Sequence, residues 1–230
     1  MPATISSARN IWLIRHGSRQ DACDPNWLAT APRRHDPPLS ARGVQQARET
    51  GVFLESQKIN HIFASPFLRA TQTASLINER LGLPLKIEPG LSEALLTEWF
   101  PYSPDFLPLE ELERLFPGID RSYQSKVGLS HPETWETMLG RTARAIRRLL
   151  RHGGNLALVG HGGSMWGLCQ ELVKGNPVIH VPTCCLIKLA CSPDAPGGRD
   201  EWIIEKDGSD LSHLSCPDPI PVIPGEKRSC

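Results

Sequence analysis

Short apolar runs alternate along the chain with longer amphipathic stretches, which is the pattern of strands that are each followed by a helix. Strands are predicted at 10–14, 59–65, 83–89, 155–160, 184–190 and 201–206. Helices are predicted at 39–56, 66–81, 108–115, 131–154 and 164–174. This order predicts an α/β fold, a three-layer sandwich in which a mostly parallel central sheet has helices on both faces.

Capping residues set the predicted ends of the helices. Ser40 is expected to cap the helix after it, and Ser65-Pro66 to supply the N-cap and first helical position of the next one. Pro132 is expected to begin the long helix. The arginines between 141 and 151 are interpreted as a solvated face of that helix.

Two long segments, 20–38 and 97–131, are irregular apart from the short predicted helix in the second. Both are rich in proline, and loops of such length in compact domains are often functional. Residues 1–206 are expected to form a single domain. Residues 207–230 are interpreted as a Pro-rich C-terminal tail.

Composition and charge exclude several classes of protein. Apolar residues make up 40% and charged residues 22%, which is ordinary for a soluble globular protein. Lys+Arg and Asp+Glu both number 25, so no overall field favours nucleic acid or an anionic membrane as a partner. No apolar run is long enough to cross a bilayer, and the first ten residues lack the apolar core of a signal peptide. Seven cysteines without framework spacing favour reduced thiols, so a cytoplasmic location is expected.

Polar residues follow the predicted parallel strands, where ligands of open α/β sheets bind. Each strand end contributes at least one side chain that could bind an anion or transfer a proton. These residues are Arg15, His16, Gly17 and Arg19 after the first strand, Arg69 after the second, Glu93 after the third, and His161 and Gly162 after the strand at 155–160. Their shared position predicts one pocket.

Phosphoryl transfer is the chemistry that needs such a set. Arginine presents a planar fork of donors that matches phosphoryl oxygens, so Arg15 and Arg69 would form a clamp with Arg19 as a third cation. Gly17 and Gly162 would allow close backbone approach, and helix N-termini would add oriented N–H groups.

Two further groups complete the predicted reaction. A neutral histidine nitrogen can attack phosphorus, and a carboxyl group must then protonate the leaving oxygen and activate water. Glu93 is the candidate carboxyl group, with Glu88 and Glu98 as close alternatives in the sequence.

Five short motifs resemble those of the histidine phosphatase superfamily, branch 1, which is also called phosphoglycerate-mutase-like. They are "RHG", "LSARGVQQA", "SPFLRATQTA", "EPGLSE" and "GHGG", and their order and spacing match over roughly residues 10–190. The conjunction is specific, although each motif alone is weak. The resemblance implies the phosphoglycerate-mutase-like fold and a phosphatase that acts on small-molecule phosphate monoesters.

The resemblance also implies roles for individual residues. His16 resembles the nucleophile that becomes phosphohistidine, and Glu93 resembles the proton donor. Arg15, Arg69 and His161 resemble the phosphate pocket, with His161 also taking part in the transfer. Neither a metal nor another cofactor is implied.

The stretch after "RHG" favours a phosphatase over a mutase. Mutases of the family continue with an Asn-containing stretch and a basic aromatic segment, which this chain lacks. "RHG-x-R-x-D", with Arg19 and Asp21, and "DPPLS" are closer to the ecdysteroid-phosphate phosphatase and T-cell-receptor-signalling-suppressor type. The extra interaction domains of that type do not fit in this length, so a free-standing phosphatase domain is expected, and the sequence gives no oligomeric state.

Other interpretations stay open at this stage. "HGGS" ending at Ser164 could belong to a serine hydrolase, although a nucleophile elbow needs Gly-x-Ser-x-Gly. A mutase, or a regulatory binding protein with a weak site on the same fold, is also possible. Trp27, Trp99 and Phe100 either pack the loops down or line a pocket for an apolar or aromatic alcohol.

Overall fold

A six-stranded sheet runs through the centre of the molecule in the computed structural model, which describes residues 9–192 and 201–218. Its strands are β1 Asn10–Arg15, β2 His61–Ala64, β3 Leu85–Ile87, β4 Leu156–Gly160, β5 Leu186–Ser192 and β6 Glu201–Asp207. They lie in the order β3-β2-β4-β1-β5-β6. The strands β1, β2, β3 and β4 are parallel to one another. β5 pairs antiparallel with β1, and β6 pairs antiparallel with β5. The predicted mostly parallel sheet is therefore confirmed.

Helices cover both faces of this sheet. They are α1 Trp27–Thr30, α2 Ala41–Leu54, α3 Leu68–Leu81, α4 Leu109–Leu115, α5 Trp135–Leu149 and α6 Gly162–Leu172. The pair α2 and α3 packs together, as does the pair α5 and α6. Among the residues that the structure describes, no helix has both the length and the apolar character needed to cross a membrane.

The alternation of side chains along β1 builds a separate core on each face. Ile14 packs in the cluster that contains Leu54 of α2, whereas Leu13 packs in the cluster that contains Ile146 of α5. Successive side chains of a strand point to opposite faces, so one apolar run supplies both cores. The three-layer sandwich predicted from the sequence is therefore confirmed.

The second long helix begins later than its sequence predicts. We expected Ser65 as N-cap and Pro66 as first helical residue, but α3 begins at Leu68, with Phe67 in the N-cap position and no capping side chain. The Ser65 hydroxyl instead accepts a hydrogen bond from the Phe67 amide at 3.3 Å. Ser65 is thereby left at the end of β2, facing the candidate site.

The helix α5 also begins later in the chain than the sequence predicts. Thr134 caps this helix with its side chain, so Glu133 lies before the helix rather than inside it. Glu133 and Arg141 are both buried. The interpretation of the whole arginine run as a solvated face is therefore wrong for Arg141.

The chain after β6 returns across α2. Leu214 is buried in a small cluster with Leu39 and Ala47. The carboxylate of Asp218 accepts hydrogen bonds from Arg42 at 2.9 Å and from the Thr183 hydroxyl at 2.6 Å. The part of the predicted tail up to residue 218 thus packs on the domain, and residues 219–230 lie outside the described residues.

Candidate active site

Two histidines and a serine meet at the carboxyl ends of β1, β2 and β4. The His16 amide donates to the Gly160 carbonyl at 3.0 Å, which continues the pairing of β1 with β4. His161 follows Gly160 directly, and Ser65 follows β2. The imidazole rings of His16 and His161 have centroids 5.1 Å apart, and both side chains are buried. Sheet register therefore brings together residues that are far apart in the sequence.

The protonation of His16 is set by a hydrogen bond within its own loop. Its Nδ1 atom lies 2.8 Å from the carbonyl oxygen of Gly17. A carbonyl oxygen only accepts, so Nδ1 carries the proton and Nε2 of the neutral ring keeps its lone pair. Burial, and then the nearby charges of Arg69 and Arg15, hold the pKa of His16 well below 6.5. The ring is therefore neutral, and its free nitrogen is Nε2.

We expect the His16 ring to stay neutral at mildly acidic pH. A lowered histidine pKa means that protonation needs more acid than for an ordinary imidazole, so Nε2 should still be unprotonated at and just below pH 6.5, where an ordinary imidazole takes up its proton. NMR spectra of the imidazole nitrogens would show this, with the His16→Gln variant used to assign the signal. A His16 signal that titrates near the ordinary histidine value would contradict the expectation.

Arg69 is a buried cation with unused hydrogen-bonding capacity. Its guanidinium lies 4.2 Å from the centre of the Phe67 ring, and its Nη1 atom is 3.4 Å from the His35 carbonyl. Its Nε atom has no hydrogen-bond partner among the described residues. Burial lowers its pKa to about 10, so it is still a cation at neutral pH. A buried arginine with spare donors is suited to an anionic ligand.

Asp36 is the acidic group nearest to this arginine. Its Oδ1 atom is 3.9 Å from Nη1 of Arg69, which is too long for a hydrogen bond, and it accepts instead from the Leu68 amide at 2.7 Å. Burial raises the pKa of Asp36 to about 6. Asp36 therefore holds the first residue of α3 without taking up the donors of Arg69. The sequence contained it within "DPPLS" but gave it no role.

The other two predicted cations, Arg15 and Arg19, differ in their hydrogen bonds and their exposure. Arg15 donates from Nη1 to the Val181 carbonyl at 2.6 Å, while its Nε atom is buried without a hydrogen-bond partner among the described residues. Arg19 makes a two-bond pair with Asp21, at 2.8 and 2.6 Å, and its side chain is 40% exposed. Arg15 thus lies in the floor of the site and Arg19 at its rim.

His161 is positioned by both neighbouring elements. It is the N-cap residue of α6, and its amide donates to the Ser164 hydroxyl at 3.0 Å. Its Nε2 atom lies 2.9 Å from the Ser65 hydroxyl, whereas its Nδ1 atom is buried without a hydrogen-bond partner among the described residues. Burial, and then the charge of Arg69, lower its pKa well below 6.5. Ser65 is thus a site residue that the sequence analysis treated only as a helix cap.

Glu93 is held against the N-terminus of α6. Its Oε1 atom accepts hydrogen bonds from the amides of Ala94 and Gly163, both at 3.0 Å. Its Oε2 atom has no hydrogen bond to any described residue. The alternatives are unsuitable, since Glu88 is buried and bonded to Tyr123, Ser125 and Gly90, and Glu98 is exposed. Glu93 is therefore the glutamate that faces the cleft with one free oxygen.

Three glycines lie close to this site, and they differ in the space around them. A Cβ atom on Gly163 would lie 2.5 Å from Oε1 of Glu93, whereas one on Gly162 would make an ordinary 3.5 Å contact with Val181. A Cβ atom on Gly17 would lie 2.7 Å from the carbonyl oxygen of Gly43. Gly163 thus admits Glu93 to the helix end, and Gly17 admits α2 to the loop after β1.

An open cleft of about 400 Å³ connects this site to solvent. It is lined by Arg19, Asp21, Leu28, Arg34, His35, Pro37, Arg69, Glu93, Trp99 and Phe100. Trp99 and Phe100 thus lie where a substrate-pocket role was predicted. Trp27 is not in the lining, since its Nε1 atom donates to the Arg34 carbonyl at 3.1 Å, which favours the alternative that this side chain packs its loop down. Leu28 takes its place, and no pattern in the sequence identified it.

The sequence model of the histidine phosphatase superfamily (branch 1) matches residues 11–198, which include every residue of this site. The chain belongs to the histidine phosphatase superfamily. The resemblance carried by the five motifs is thereby confirmed.

Members of the superfamily from distant organisms are similar to this chain. An ecdysteroid-phosphate phosphatase from Drosophila melanogaster is 30% identical over 81% of this chain and 31% of its own length. The uncharacterized phosphatase PhoE from Bacillus subtilis is 30% identical over 89% of this chain and 96% of its own. The chain therefore spans about a third of the length of the fly relative but nearly all of the bacterial one.

A solved structure has the same fold. The crystal structure of an ecdysone phosphate phosphatase from Bombyx mori, in complex with tungstate, superposes with a TM-score of 0.70 at 23% identity. The superposition covers 95% of this chain and 97% of that one. This likeness confirms the phosphoglycerate-mutase-like architecture. Within the described residues, no cluster of three or more His, Cys, Asp or Glu side chains could hold a metal ion.

Proposed function

We propose that the chain is a phosphomonoester hydrolase that works without a metal ion and through a phosphohistidine intermediate on His16. The observation that carries the proposal is the unprotonated Nε2 of a buried histidine beside Arg69, a buried cation with an unused donor. A nucleophile and an anion clamp in one pocket are the two requirements of phosphoryl transfer. Family membership supports the same chemistry.

The proposed reaction has two steps. In the first, Nε2 of His16 attacks phosphorus while the bond to the leaving oxygen breaks, and Glu93 gives that oxygen a proton. In the second, Glu93 takes a proton from water, which attacks phosphorus and releases His16 and inorganic phosphate. Arg15, Arg69 and His161 hold the phosphoryl oxygens, where negative charge is concentrated in both steps.

Further residues are assigned to the edge of the phosphate site and to the leaving alcohol. Arg19 contacts the phosphate from the rim, and Gly17 and Gly162 allow the backbone to approach it closely. The leaving alcohol lies against Leu28, Trp99 and Phe100, which favours an apolar or aromatic group. The names of the fly and silkworm relatives, which specify phosphates of ecdysteroids, agree with an apolar alcohol.

Rapid-quench kinetics would test the proposal directly. The protein, treated with a chelator, should release phosphate from 1-naphthyl phosphate and form a phosphorylated protein that is stable to alkali and labile to acid, mapped to His16. The effect of the aromatic group is tested between two alkyl esters, and 2-phenylethyl phosphate should be cleaved with a higher kcat/KM than glycerol phosphate. Activity that disappears with chelation, or a phosphate on Ser164 instead, would overturn the mechanism. Transfer of the phosphoryl group between phosphoglycerates, without its release, would indicate a mutase.

A further inference from the structure

A buried ion pair lies behind the segment that carries Glu93. Arg141 of α5 donates from Nε to Oε1 of Glu133 at 2.6 Å and from Nη2 to Oε2 at 2.8 Å. Both side chains are only 1% exposed. This two-bond geometry fixes the plane of the guanidinium and of the carboxylate together.

The remaining hydrogen bonds of the pair all go to the backbone on either side of Glu93. Arg141 donates to the carbonyls of Gly90 at 2.9 Å, Ser92 at 3.0 Å and Glu93 itself at 2.9 Å. Oε2 of Glu133 accepts from the Leu95 amide at 3.0 Å. One guanidinium and one carboxylate thus bind four backbone groups between residues 90 and 95.

Stability alone is a poor explanation for this arrangement. Replacing a buried ion pair by apolar side chains of similar size is often neutral or stabilising, because both charges must be desolvated. What the pair does supply is geometry, since a rigid guanidinium sets three carbonyl oxygens at fixed positions. The segment it holds is irregular in structure and places Oε1 of Glu93 on the amides of Ala94 and Gly163.

We infer that Glu133 and Arg141 form a positioning pair that holds Glu93 at the distance from the leaving oxygen needed for proton transfer. This inference rests on the proposed function, in which Glu93 is the proton donor. Displacing a catalytic group by about 1 Å can lower a rate by about 10²-fold. Both side chains are buried and neither lines the cleft beside Glu93, so the pair acts through Glu93.

The inference makes a prediction that depends on the leaving group. p-Nitrophenolate departs as an anion and needs little help from an acid, whereas an alkyl alcohol must be protonated as it leaves. Because kcat/KM covers only the steps up to release of the alcohol, it isolates proton donation from the later attack of water. Loss of the pair should therefore impair alkyl phosphates selectively.

The experiment compares p-nitrophenyl phosphate with 2-phenylethyl phosphate in the full chain. In the double variant Glu133→Gln/Arg141→Met, which removes both charges, we expect kcat/KM to fall about 10²-fold for the alkyl ester and less than about 5-fold for the aryl ester. Glu93→Gln should show the same selectivity. Arg147→Met is the matched control, because Arg147 is exposed on the same helix as Arg141 and pairs with Glu171 of α6, so its loss should change neither value.

Equal losses on both esters, or no loss in a folded double variant, would overturn the inference. If the double variant does not fold, Arg141→Lys decides, because lysine keeps the charge but cannot bridge three carbonyls and a carboxylate in one plane. It should show the selective loss, and normal selectivity in a folded Arg141→Lys protein would equally overturn the inference. Failure of the proposed function would be seen separately, as a wild-type protein that cleaves neither ester.

Discussion

Replacing His16 with alanine should abolish hydrolysis, with kcat reduced by about 10⁴-fold or more. The proposed reaction forms a covalent bond from Nε2 of His16 to phosphorus, and the hydrogen bond of Nδ1 to the Gly17 carbonyl leaves that Nε2 with a free lone pair. His161 is held at the Ser65 hydroxyl, and its proposed role is to bind the phosphoryl oxygens. Steady-state assays with p-nitrophenyl phosphate and a rapid-quench search for phosphorylated protein would measure the loss.

The control for this change is His180→Ala, which removes a histidine that is 38% exposed and lies outside the cleft. It should keep wild-type turnover. If His16→Ala retains more than about a hundredth of the wild-type kcat while folded, a covalent route through this residue is excluded.

Replacing Arg69 with methionine should lower kcat/KM by about 10³-fold. The guanidinium is buried beside His16, and its charge would be balanced by the phosphoryl group as that group is transferred. Methionine is similar in length and apolar, so it fills the space above the Phe67 ring without supplying a donor. The assay is again hydrolysis of p-nitrophenyl phosphate, together with binding of vanadate as a phosphoryl mimic.

Two further variants separate charge from geometry at this position. Arg69→Lys keeps a cation but loses the planar fork, so its activity should lie between those of the wild type and Arg69→Met. Arg80→Met changes an exposed arginine at the other end of α3 and should have no effect. Near wild-type activity in a folded Arg69→Met protein would remove Arg69 from the clamp.

Two arginine donors near His16 have no hydrogen-bond partner within the described residues. They are the Nε atoms of Arg15 and Arg69, which are both buried. A buried polar group without a partner generally costs about 1–3 kcal/mol. An oxyanion with several acceptor oxygens would satisfy such donors, and its charge would offset the charges of Arg69 and Arg15, which add to burial in lowering the pKa of His16. Both points support the proposed role of Arg15 and Arg69 in binding the phosphoryl group.

The contacts that individual side chains make in the folded chain explain why some residues have a role other than the predicted one. Trp27 and Leu28 are neighbours in one loop, and only the fold of that loop turns the leucine toward the cleft and the indole N–H toward the Arg34 carbonyl. In the same way, α3 begins at Leu68, so Ser65 faces His161 instead of capping a helix. A difference of two or three residues in where a helix begins is therefore enough to move a side chain into or out of the site.

The sequence by itself determined the fold class, the family and the residues at the strand ends. The periodicity of apolar residues indicates which segments are strands and helices. Five residues indicate anion binding and proton transfer by their chemistry alone: Arg15, His16, Arg69, Glu93 and His161. Parallel strands bring their carboxyl ends to one edge, so the pocket followed from the order of the elements alone.

Only the tertiary structure decided how those groups are held. Three sets of contacts join residues that are distant in the chain. They are the hydrogen bond between Ser65 and His161, the proximity of Asp36 to Arg69, and the hydrogen bonds of the Glu133–Arg141 pair to the backbone around Glu93. Sequence periodicity records whether a side chain lies on an apolar or a polar face of its own element, and by that measure Arg141 is a surface residue. Its burial depends on a carboxylate and three carbonyls brought by other segments, and that complementarity exists only once the chain has folded.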